Sequence, residues 1–306
     1  MNPRELAIAC AGLGRMGVGI AKNIQNSGCR LTVYNRTAEK TAPFVAAGAK
    51  AARNPREAAA GVDIVVTSLM DDESVLTTLL GDDGMLAGMR PGAIHIGTST
   101  ISPGASSRIA QLHKERGSHY LAAPVLGRPG AAAAGKLMTF VSGEPEIIER
   151  ARPVLECYTQ SITLLGSDPS AAPSMKLVAN FFAASLLEVV GEAFAFAEQR
   201  GVLQPMAALL KGFLAPMGEY IDRISQRKYD EPGFTLEAGF KDVRLILDAA
   251  GEVHVPLPLA SLIRDKCLAA QAHGFSQQDW CSFTEMARGS IPANDRLAMP
   301  IEPQRP

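Results

Sequence analysis

The chain has almost no excess of either charge. Its 306 residues carry 30 Lys and Arg side chains against 31 Asp and Glu side chains, which gives a formal net charge of −1. Nucleic acids and anionic membrane surfaces are bound mainly through clustered cations, and this composition supplies no general positive field. The sequence therefore predicts that neither nucleic acid nor a membrane is a partner.

Cysteine and histidine are scarce and scattered. The five cysteines are Cys10, Cys29, Cys157, Cys267 and Cys281. They form no Cys-x-x-Cys pair, and one is left over after any pairing, which is typical of reduced thiols in a cytoplasmic protein. The five histidines are His95, His113, His119, His254 and His273. Because none is spaced i, i+4 with another or clustered with cysteine, no metal site is predicted, and we expect each at a strand edge or on the surface.

A long uncharged hydrophobic run is absent too. Arg4 and Glu5 stand directly before the first apolar run, so we expect no apolar stretch of signal-peptide length before the fold. The most apolar long segment, residues 175–199, is interrupted by Lys176, Asn180, Glu188, Glu192 and Glu198. So many polar groups argue against a lipid-facing helix and predict a buried amphipathic one. We expect its Glu188 and Glu192 to face solvent or a subunit partner.

The glycines, by contrast, are informative near the N-terminus. An apolar run, residues 6–10, leads into Gly12-Leu13-Gly14-Arg15-Met16-Gly17, then a helical stretch to Ser27 and a second apolar run, residues 31–34. In a strand–turn–helix–strand unit, Gly12 allows the tight turn, Gly14 lets a pyrophosphate approach the backbone, and Gly17 lets helix pack on strand. The helix then directs free N–H groups at the phosphates. This arrangement predicts a dinucleotide site.

The residues after the second strand indicate which dinucleotide. NAD sites usually place Asp or Glu there to accept from the ribose 2′-hydroxyl, whereas this chain has Asn35-Arg36-Thr37, followed by Lys40. A guanidinium cannot accept that proton but pairs well with a phosphate dianion. The sequence therefore favours NADP(H) over NAD(H). The alternative is that Arg36 is a solvated residue at a strand end.

Strand-like and helix-like segments alternate up to about residue 165. Strands are predicted at 62–67, 93–96, 118–121, 137–141 and 161–164, and helices at 55–60, 74–80, 102–116 and 145–155. This alternation predicts an α/β fold, a doubly wound and mostly parallel sheet of the Rossmann type covered on both faces.

Beyond Gly166 the pattern becomes helical. Helices are predicted at 175–200, 205–224, 236–250, 257–272 and 278–289, with a Pro-rich irregular tail from Ile291. We expect a dinucleotide-binding domain at 1–166 and an all-helical domain at 167–306, entered through the long interdomain helix. That helix is apolar enough to need covering by a second subunit, so a homo-oligomer is expected.

Four motifs follow in chain order, and each has an ordinary structural explanation. They are Thr98-Ser99-Thr100-Ile101-Ser102-Pro103, Ala123-Pro124-Val125-Leu126-Gly127-Arg128-Pro129, Lys176 with Asn180, and Phe240-Lys241-Asp242-Val243. The first can simply cap a helix through Ser102 or Thr100, and the second can be only a turn. Lys176 and Asn180, spaced i, i+4, share a helix face where a lone Lys would snorkel. Lys241 and Asp242 would ordinarily be surface charges.

Together, these motifs and the glycine turn resemble the β-hydroxyacid dehydrogenase family, which includes 3-hydroxyisobutyrate dehydrogenases, tartronate semialdehyde reductases and glyoxylate/succinic semialdehyde reductases. The resemblance covers nearly the whole chain. It implies that Lys176 is the catalytic acid/base and that Asn180 and Ser99 contact substrate. It also places Leu69, Met70, Thr100, Phe234 and Lys241 against the cofactor, and it implies a homodimer or homotetramer.

One departure from the family concerns the substrate loop. The family commonly reads Pro-Val-Ser-Gly-Gly, whereas this chain has Leu126-Gly127-Arg128 after Pro124-Val125. Arg128 either binds a substrate carboxylate bidentately or points into solvent while Leu126 forms an apolar pocket. The second case would favour a less polar carbonyl or an imine, as in imine reductases. A non-enzymatic NADP(H)-binding redox sensor is a further alternative, although the retained Lys176 and Asn180 argue against it.

Overall fold

The computed structural model describes residues 3–288. The N-terminal part contains six strands that form one sheet: β1 (Ala7–Ala11), β2 (Arg30–Tyr34), β3 (Lys50–Ala51), β4 (Ile64–Thr67), β5 (Ile94–Gly97) and β6 (His119–Ala122). Every pairing is parallel and the order is β3-β2-β1-β4-β5-β6. The strand order reverses between β1 and β4. In open sheets of this kind, ligands bind at the carboxyl ends of the strands beside that point.

Helices cover both faces of this sheet. They are α1 (Gly17–Asn26), α2 (Ala42–Ala46), α3 (Pro55–Ala59), α4 (Asp72–Leu79), α5 (Met85–Gly88), α6 (Pro103–Glu115), α7 (Pro129–Ala133) and α8 (Pro145–Leu155). Central strands such as β1 and β4 are buried throughout, as strands covered on both faces must be. The predicted α/β class with a doubly wound sheet is confirmed.

Two of the predicted strands, at 137–141 and 161–164, lie outside this parallel sheet. β7 (Val125–Leu126), β8 (Leu137–Val141) and β9 (Thr159–Leu164) form a separate three-stranded sheet, antiparallel between β7 and β8 and parallel between β8 and β9. Pro124 follows β6 after one residue, Ala123, and has no N–H to continue the parallel ladder. The chain therefore turns there, and Leu126 pairs with Met138 of β8.

The C-terminal part is helical: α9 (Ala171–Gln199), α10 (Leu203–Phe213), α11 (Gly218–Gln226), α12 (Leu236–Glu252) and α13 (Pro258–Ala272). The single helix expected at 205–224 is interrupted after Phe213 by a 3-10 turn, Ala215–Met217, because Pro216 cannot continue the α-helical hydrogen bonding. The last predicted helix is a 3-10 segment, Trp280–Ala287. The tail from Ile291 lies outside the described residues.

The long helix α9 lies between the two parts of the chain. By length and composition alone it could cross a membrane, with a mean hydropathy of 1.5, but 44% of its most apolar window is buried inside the protein. Core helices of soluble proteins pass the same test. It contacts β8 and α6 on the sheet side, and α10 to α13 on the helical side. Residues near its start therefore face the sheet, while the rest belongs to the helical core.

Candidate active site

The turn between β1 and α1 has the three distinct environments that its glycines require. Gly12 has a φ of +96°, and a Cβ there would lie 2.3 Å from the Ser68 carbonyl oxygen. A Cβ on Gly17 would lie 2.0 Å from the Gly12 carbonyl oxygen, so the helix packs directly on the turn. Gly14 instead has no atom within 4 Å of its Cβ position. Open space above Gly14 and uncapped N–H groups at the start of a helix fit a bound pyrophosphate.

The end of β2 is tied to this turn through Asn35. The Leu13 N–H donates to Asn35 Oδ1 over 2.8 Å, and Asn35 Nδ2 donates to the Thr37 carbonyl oxygen over 2.9 Å. Arg36, Thr37 and Lys40 remain exposed. Neither cation has an ion-pair partner among residues 3–288. Met16, which precedes α1, gives no side-chain cap to the helix. The pattern leaves positive charge available where β2 ends.

The loops after β4 and β5 are joined through Ser99. The Leu69 N–H donates to Ser99 Oγ over 2.8 Å, while Met70 is exposed. The next helix is capped by Ser102, which accepts from the Ala105 N–H, so the structural explanation for this motif holds alongside any ligand contact. Thr100 offers its carbonyl oxygen to Lys241 Nζ at 2.9 Å. That bond links the sheet edge to α12.

Lys176 is buried at the start of α9, only 7% exposed. Burial lowers the pKa of its ammonium to about 8, the negative charge of Asp242 opposes this change, and repulsion from Lys241 adds to it. A lysine in this state carries and releases a proton near neutral pH. One helical turn later, Asn180 Nδ2 donates to Asp242 Oδ2 over 2.7 Å.

Asp242 connects these side chains and is itself 2% exposed. Its Oδ1 lies 2.6 Å from Lys241 Nζ, which also reaches Thr100. Asn180, Asp242 and the half-buried Lys241 therefore form one cluster, with Thr100 at its edge. The buried Lys176 lies close enough for the charges of Asp242 and Lys241 to act on it. Together these groups can stabilise negative charge on a small ligand and move a proton.

The comparisons with known proteins agree with this geometry. A family model for the NAD-binding domain of 6-phosphogluconate dehydrogenase matches residues 7–166, and one for the NAD-binding of NADP-dependent 3-hydroxyisobutyrate dehydrogenase matches residues 170–287. The chain is 40% identical over 282 residues to the oxidoreductase YfjR of Bacillus subtilis, covering 90% of this chain and 98% of the relative. It is 30% identical over 298 residues to 3-sulfolactaldehyde reductase of Escherichia coli, covering 96% and 99%.

A solved structure is similar over the same extent. A 3-hydroxyisobutyrate dehydrogenase from Salmonella typhimurium superposes with a TM-score of 0.83 at 26% identity, covering 92% of this chain and 100% of that one. The chain belongs to the β-hydroxyacid dehydrogenase family. It is therefore an NAD(P)-dependent oxidoreductase of the type that acts on CH–OH groups.

Of the two alternatives for Arg128, the structure contradicts the one in which it points into solvent, since its side chain is only 18% exposed. Its Nη2 lies 2.9 Å from Asp279 Oδ2 and 3.2 Å from Glu219 Oε1, and its guanidinium lies 4.7 Å from the centre of the Tyr220 ring. It neither points into solvent nor presents an unpaired charge to a substrate. The reason is Asp279, which is completely buried and so requires a partner.

Other loop residues predicted to contact ligands have defined surroundings. Gly127 has a φ of +142° and lies against Leu137, while Leu126 is half-buried on β7. Phe234 packs edge-on against Trp280, with ring centres 5.4 Å apart. The Arg15 guanidinium donates to the Pro232 carbonyl oxygen. The Phe234 segment therefore lies beside the glycine turn.

Two expectations about buried polar residues were wrong. Glu188 does not face solvent; it is 2% exposed and forms an ion pair with Lys266, which also lies 3.1 Å from the exposed Glu192. Helix α13 supplies this lysine, so the pairing was invisible in local sequence.

Within residues 3–288 no group of three His, Cys, Asp or Glu side chains is placed to hold a metal ion.

His95 and His113 are also fully buried, not on the surface. His95 Nδ1 lies 3.0 Å from His113 Nε2. The other nitrogen of each ring contacts a hydroxyl: His95 Nε2 lies 2.8 Å from Thr67 Oγ1, and His113 Nδ1 lies 2.9 Å from Ser118 Oγ. His95 belongs to β5, a strand covered on both faces, which explains why it is inside.

Asp242 belongs to the fourth sequence motif, but the ordinary explanation given there, a surface charge, was wrong because the side chain is 2% exposed. A signal was present, because α12 buries Leu236, Gly239, Val243 and Ile246. Position 242 falls on this apolar stripe at helical spacing. A carboxylate on the buried face of a helix needs a partner, and that requirement points to the lysine and asparagine found here.

Proposed function

We propose that this protein transfers a hydride between NADP(H) and the carbonyl or alcohol carbon of a small hydroxyacid or semialdehyde, with Lys176 as the acid/base. The observation that carries the proposal is the buried Lys176 ammonium, whose pKa is lowered to about 8, close to Asp242 and the Asn180 bound to it. The names of the relatives, a 3-sulfolactaldehyde reductase and a 3-hydroxyisobutyrate dehydrogenase, support the same substrate class.

The chemistry follows from the protein's own groups. When bound, a nicotinamide dinucleotide supplies or accepts the hydride. In reduction, the Lys176 ammonium stabilises negative charge developing on the carbonyl oxygen and donates its proton there. In oxidation, the neutral Lys176 amine removes the proton of the alcohol. Asn180, held by Asp242, orients the substrate on the same helix face.

The residues available to hold the dinucleotide lie along the carboxyl ends of the strands. The turn from Gly12 to Gly17 would take the pyrophosphate, and the other predicted contacts are Leu69, Met70, Thr100, Phe234 and Lys241. Preference for NADP(H) is supported by the exposed, unpaired Arg36 and Lys40 within the described chain, and by Asn35, whose oxygen accepts from the Leu13 N–H. A guanidinium there pairs with a 2′-phosphate.

The cofactor proposal is tested with Arg36→Leu. Loss of a charge-assisted pair to the phosphate should raise KM for NADP⁺ by about tenfold while KM for NAD⁺ changes less than about twofold. Lys40→Leu should act in the same direction. An equal effect on both dinucleotides would contradict the preference.

The catalytic proposal is tested with Lys176→Ala. Turnover should fall by about 10²-fold or more, because a positioned acid/base contributes on that order, while the Kd for NADPH stays within about twofold. Lys114→Ala, an exposed lysine of α6, is the control and should leave both quantities unchanged. Retained turnover in Lys176→Ala would exclude this role.

The substrate is identified with a panel read by NADPH consumption or formation. It contains glyoxylate, succinic semialdehyde, 3-hydroxyisobutyrate, serine and a cyclic imine. The imine represents a second candidate, an imine reductase-like activity, favoured by one observation: Arg128 is paired with Asp279, so the loop offers the half-buried Leu126 side chain and no unpaired cation. Turnover of the imine alone would replace the hydroxyacid proposal.

We further propose a division at residues 166/167 and a homodimer or homotetramer. The support for association is an apolar stripe on α9 formed by Met175, Val178, Phe182, Val189 and Phe196, all of which are exposed. Their spacing places them on one side of the helix.

The five thiols, all free, support a cytoplasmic location.

A further inference from the structure

Arg128 leaves the loop that precedes α7 and enters the helical part of the chain. Its main partner there is Asp279, a fully buried carboxylate, whereas Glu219 is largely exposed. Asp279 Oδ2 also accepts the Gly233 N–H over 3.1 Å, so one carboxylate oxygen holds both Arg128 and the segment that contains Gly233. The Tyr220 ring beneath the guanidinium fixes its plane.

The Gly233 segment is shaped around Arg128. A Cβ on Gly233 would lie 2.4 Å from Arg128 Nη2, so no larger residue fits while the arginine is in place. On one side of Gly233, the Pro232 carbonyl oxygen accepts from Arg15 of the glycine turn. On the other side is Phe234, which packs on Trp280. Segment 232–234 is thus held at three consecutive residues.

An open groove of about 1460 Å³ lies beside the glycine turn and these contacts. Its lining includes Gly14 and Arg15 of the glycine turn, together with Arg128, Glu219 and residues 231–233. Two of the lining residues, Arg128 and Arg15, hold segment 232–234. Their bonds converge on neighbouring residues of segment 232–234, one through the Asp279 carboxylate and one directly.

We propose that Arg128 is a positioning residue. Through Asp279 it fixes segment 232–234 against the glycine turn, and so sets the dinucleotide site and the loop at Leu126 and Gly127 in one geometry. Arg128 in this role contacts no substrate. Its charge is balanced inside the protein, so substrate selection at this loop rests on the shape of Leu126. This inference rests on the proposed function, but its test by NADPH binding does not require the protein to turn over any substrate.

The test is a double-mutant cycle with Arg128→Met, Asp279→Asn and the double variant. If Arg128 acts through Asp279, each single variant should raise the Kd for NADPH and lower kcat/KM by about tenfold, and the double variant should add no more than about twofold. Arg152→Met, which removes a surface ion pair on α8, is the control and should change neither.

A second comparison separates positioning from direct substrate contact. Arg128 Nη1 is buried and has no acceptor among residues 3–288, so the competing role is an anchor for a substrate anion. The proposal predicts the same loss with succinic semialdehyde as with the uncharged aldehyde butanal. A loss confined to the anionic substrate, additivity with Asp279→Asn, or an unchanged Kd for NADPH would each overturn it.

Two measures keep the test decisive. Arg128→Met leaves Asp279 buried without its partner, so Arg128→Lys serves where the methionine variant does not fold. Lysine keeps the charge but cannot stack on Tyr220 or reach both carboxylates, and it should weaken NADPH binding to an intermediate degree. NADPH binding is measured by fluorescence. If the wild type turns over no panel substrate, the proposed function fails while this inference is still tested.

Discussion

At the level of single residues, Asp242 is the centre of the proposed catalytic cluster. Its carboxylate accepts from Asn180, pairs with Lys241 and bears on the charge state of Lys176. Its negative charge favours the ammonium form, while burial disfavours it more strongly. The balance between these two effects keeps the pKa of Lys176 at about 8. Both protonation states of the lysine are then populated near neutral pH.

Asp242→Asn should shift this balance. Removing the carboxylate charge lowers the pKa of Lys176 further, so neutral amine forms at lower pH. Wild-type kcat/KM for oxidation should rise as pH increases through about 8, because neutral lysine is the base, and reduction should fall over the same range. In the variant both transitions should move to lower pH. Asp248→Asn, an exposed position of the same helix, is the control; an unmoved profile in Asp242→Asn would contradict the assignment.

At the level of elements, the β1–α1 turn combines three glycines that are constrained for different reasons. Gly12 requires a positive φ, Gly17 requires close approach to the Gly12 carbonyl, and Gly14 faces open space. The constraints on Gly12 and Gly17 belong to folding, whereas the open space at Gly14 belongs to the proposed phosphate contact. They can therefore be separated by experiment.

Gly14→Ala and Gly17→Ala form a matched pair. The first should leave the melting temperature nearly unchanged and weaken NADPH binding by about tenfold or more, because its methyl group fills only the space intended for the phosphates. The second places a Cβ 2.0 Å from a backbone oxygen and should lower the free energy of unfolding by about 2 kcal/mol or more. Calorimetry and fluorescence titration measure the two effects. Equal destabilisation by both variants would refute the distinction.

Features that depend on residues close in sequence could be predicted, whereas features that depend on residues distant in sequence could not. The glycine turn and the strand–helix alternation follow from local rules, and both were predicted. Helix α10 ends where Pro216 requires it, a local signal that periodicity alone overlooked. The partners of Arg128, Glu188 and His95 lie far along the chain. No spacing rule reaches them, so their burial and pairing appear only in the folded structure.

At the level of the whole molecule, the pair His95 and His113 makes folding sensitive to acid. Burial lowers the pKa of both rings, that of His113 to about 3. The folded chain therefore keeps them neutral where the unfolded chain, with pKa values near about 6.5, is protonated. Stability is complete above that value and is lost as pH falls below it.

The expected loss is on the order of 1 kcal/mol per pH unit for each imidazole between about pH 6 and about pH 4. His113→Gln should be less stable at pH 7, since the ring packs on Tyr120, but its stability should depend less on pH in that interval. Urea unfolding at several pH values measures this dependence. An identical slope in wild type and variant would show that carboxylates alone are responsible.

The proposed association also concerns the whole molecule. Phe182 and Phe196 are each 66% exposed on α9. Phe182→Glu and Phe196→Glu should each convert the oligomer to a smaller species, because a buried charge would oppose the contact. Light scattering gives the mass, with Lys114→Glu on the sheet side as control. A wild-type monomer would refute the proposed assembly.

Helix α9 connects the proposed subunit contact directly to Lys176. Lys176 and Phe196 are twenty residues apart on one unbroken helix, a distance of about 30 Å at the usual rise. If a helix of that length tilts by about 2° about its far end, the Lys176 ammonium moves by about 1 Å. Displacements of that size already cost rate. The exposed end of α9 can therefore tilt by only a few degrees before Lys176 leaves the position that the proposed catalysis requires.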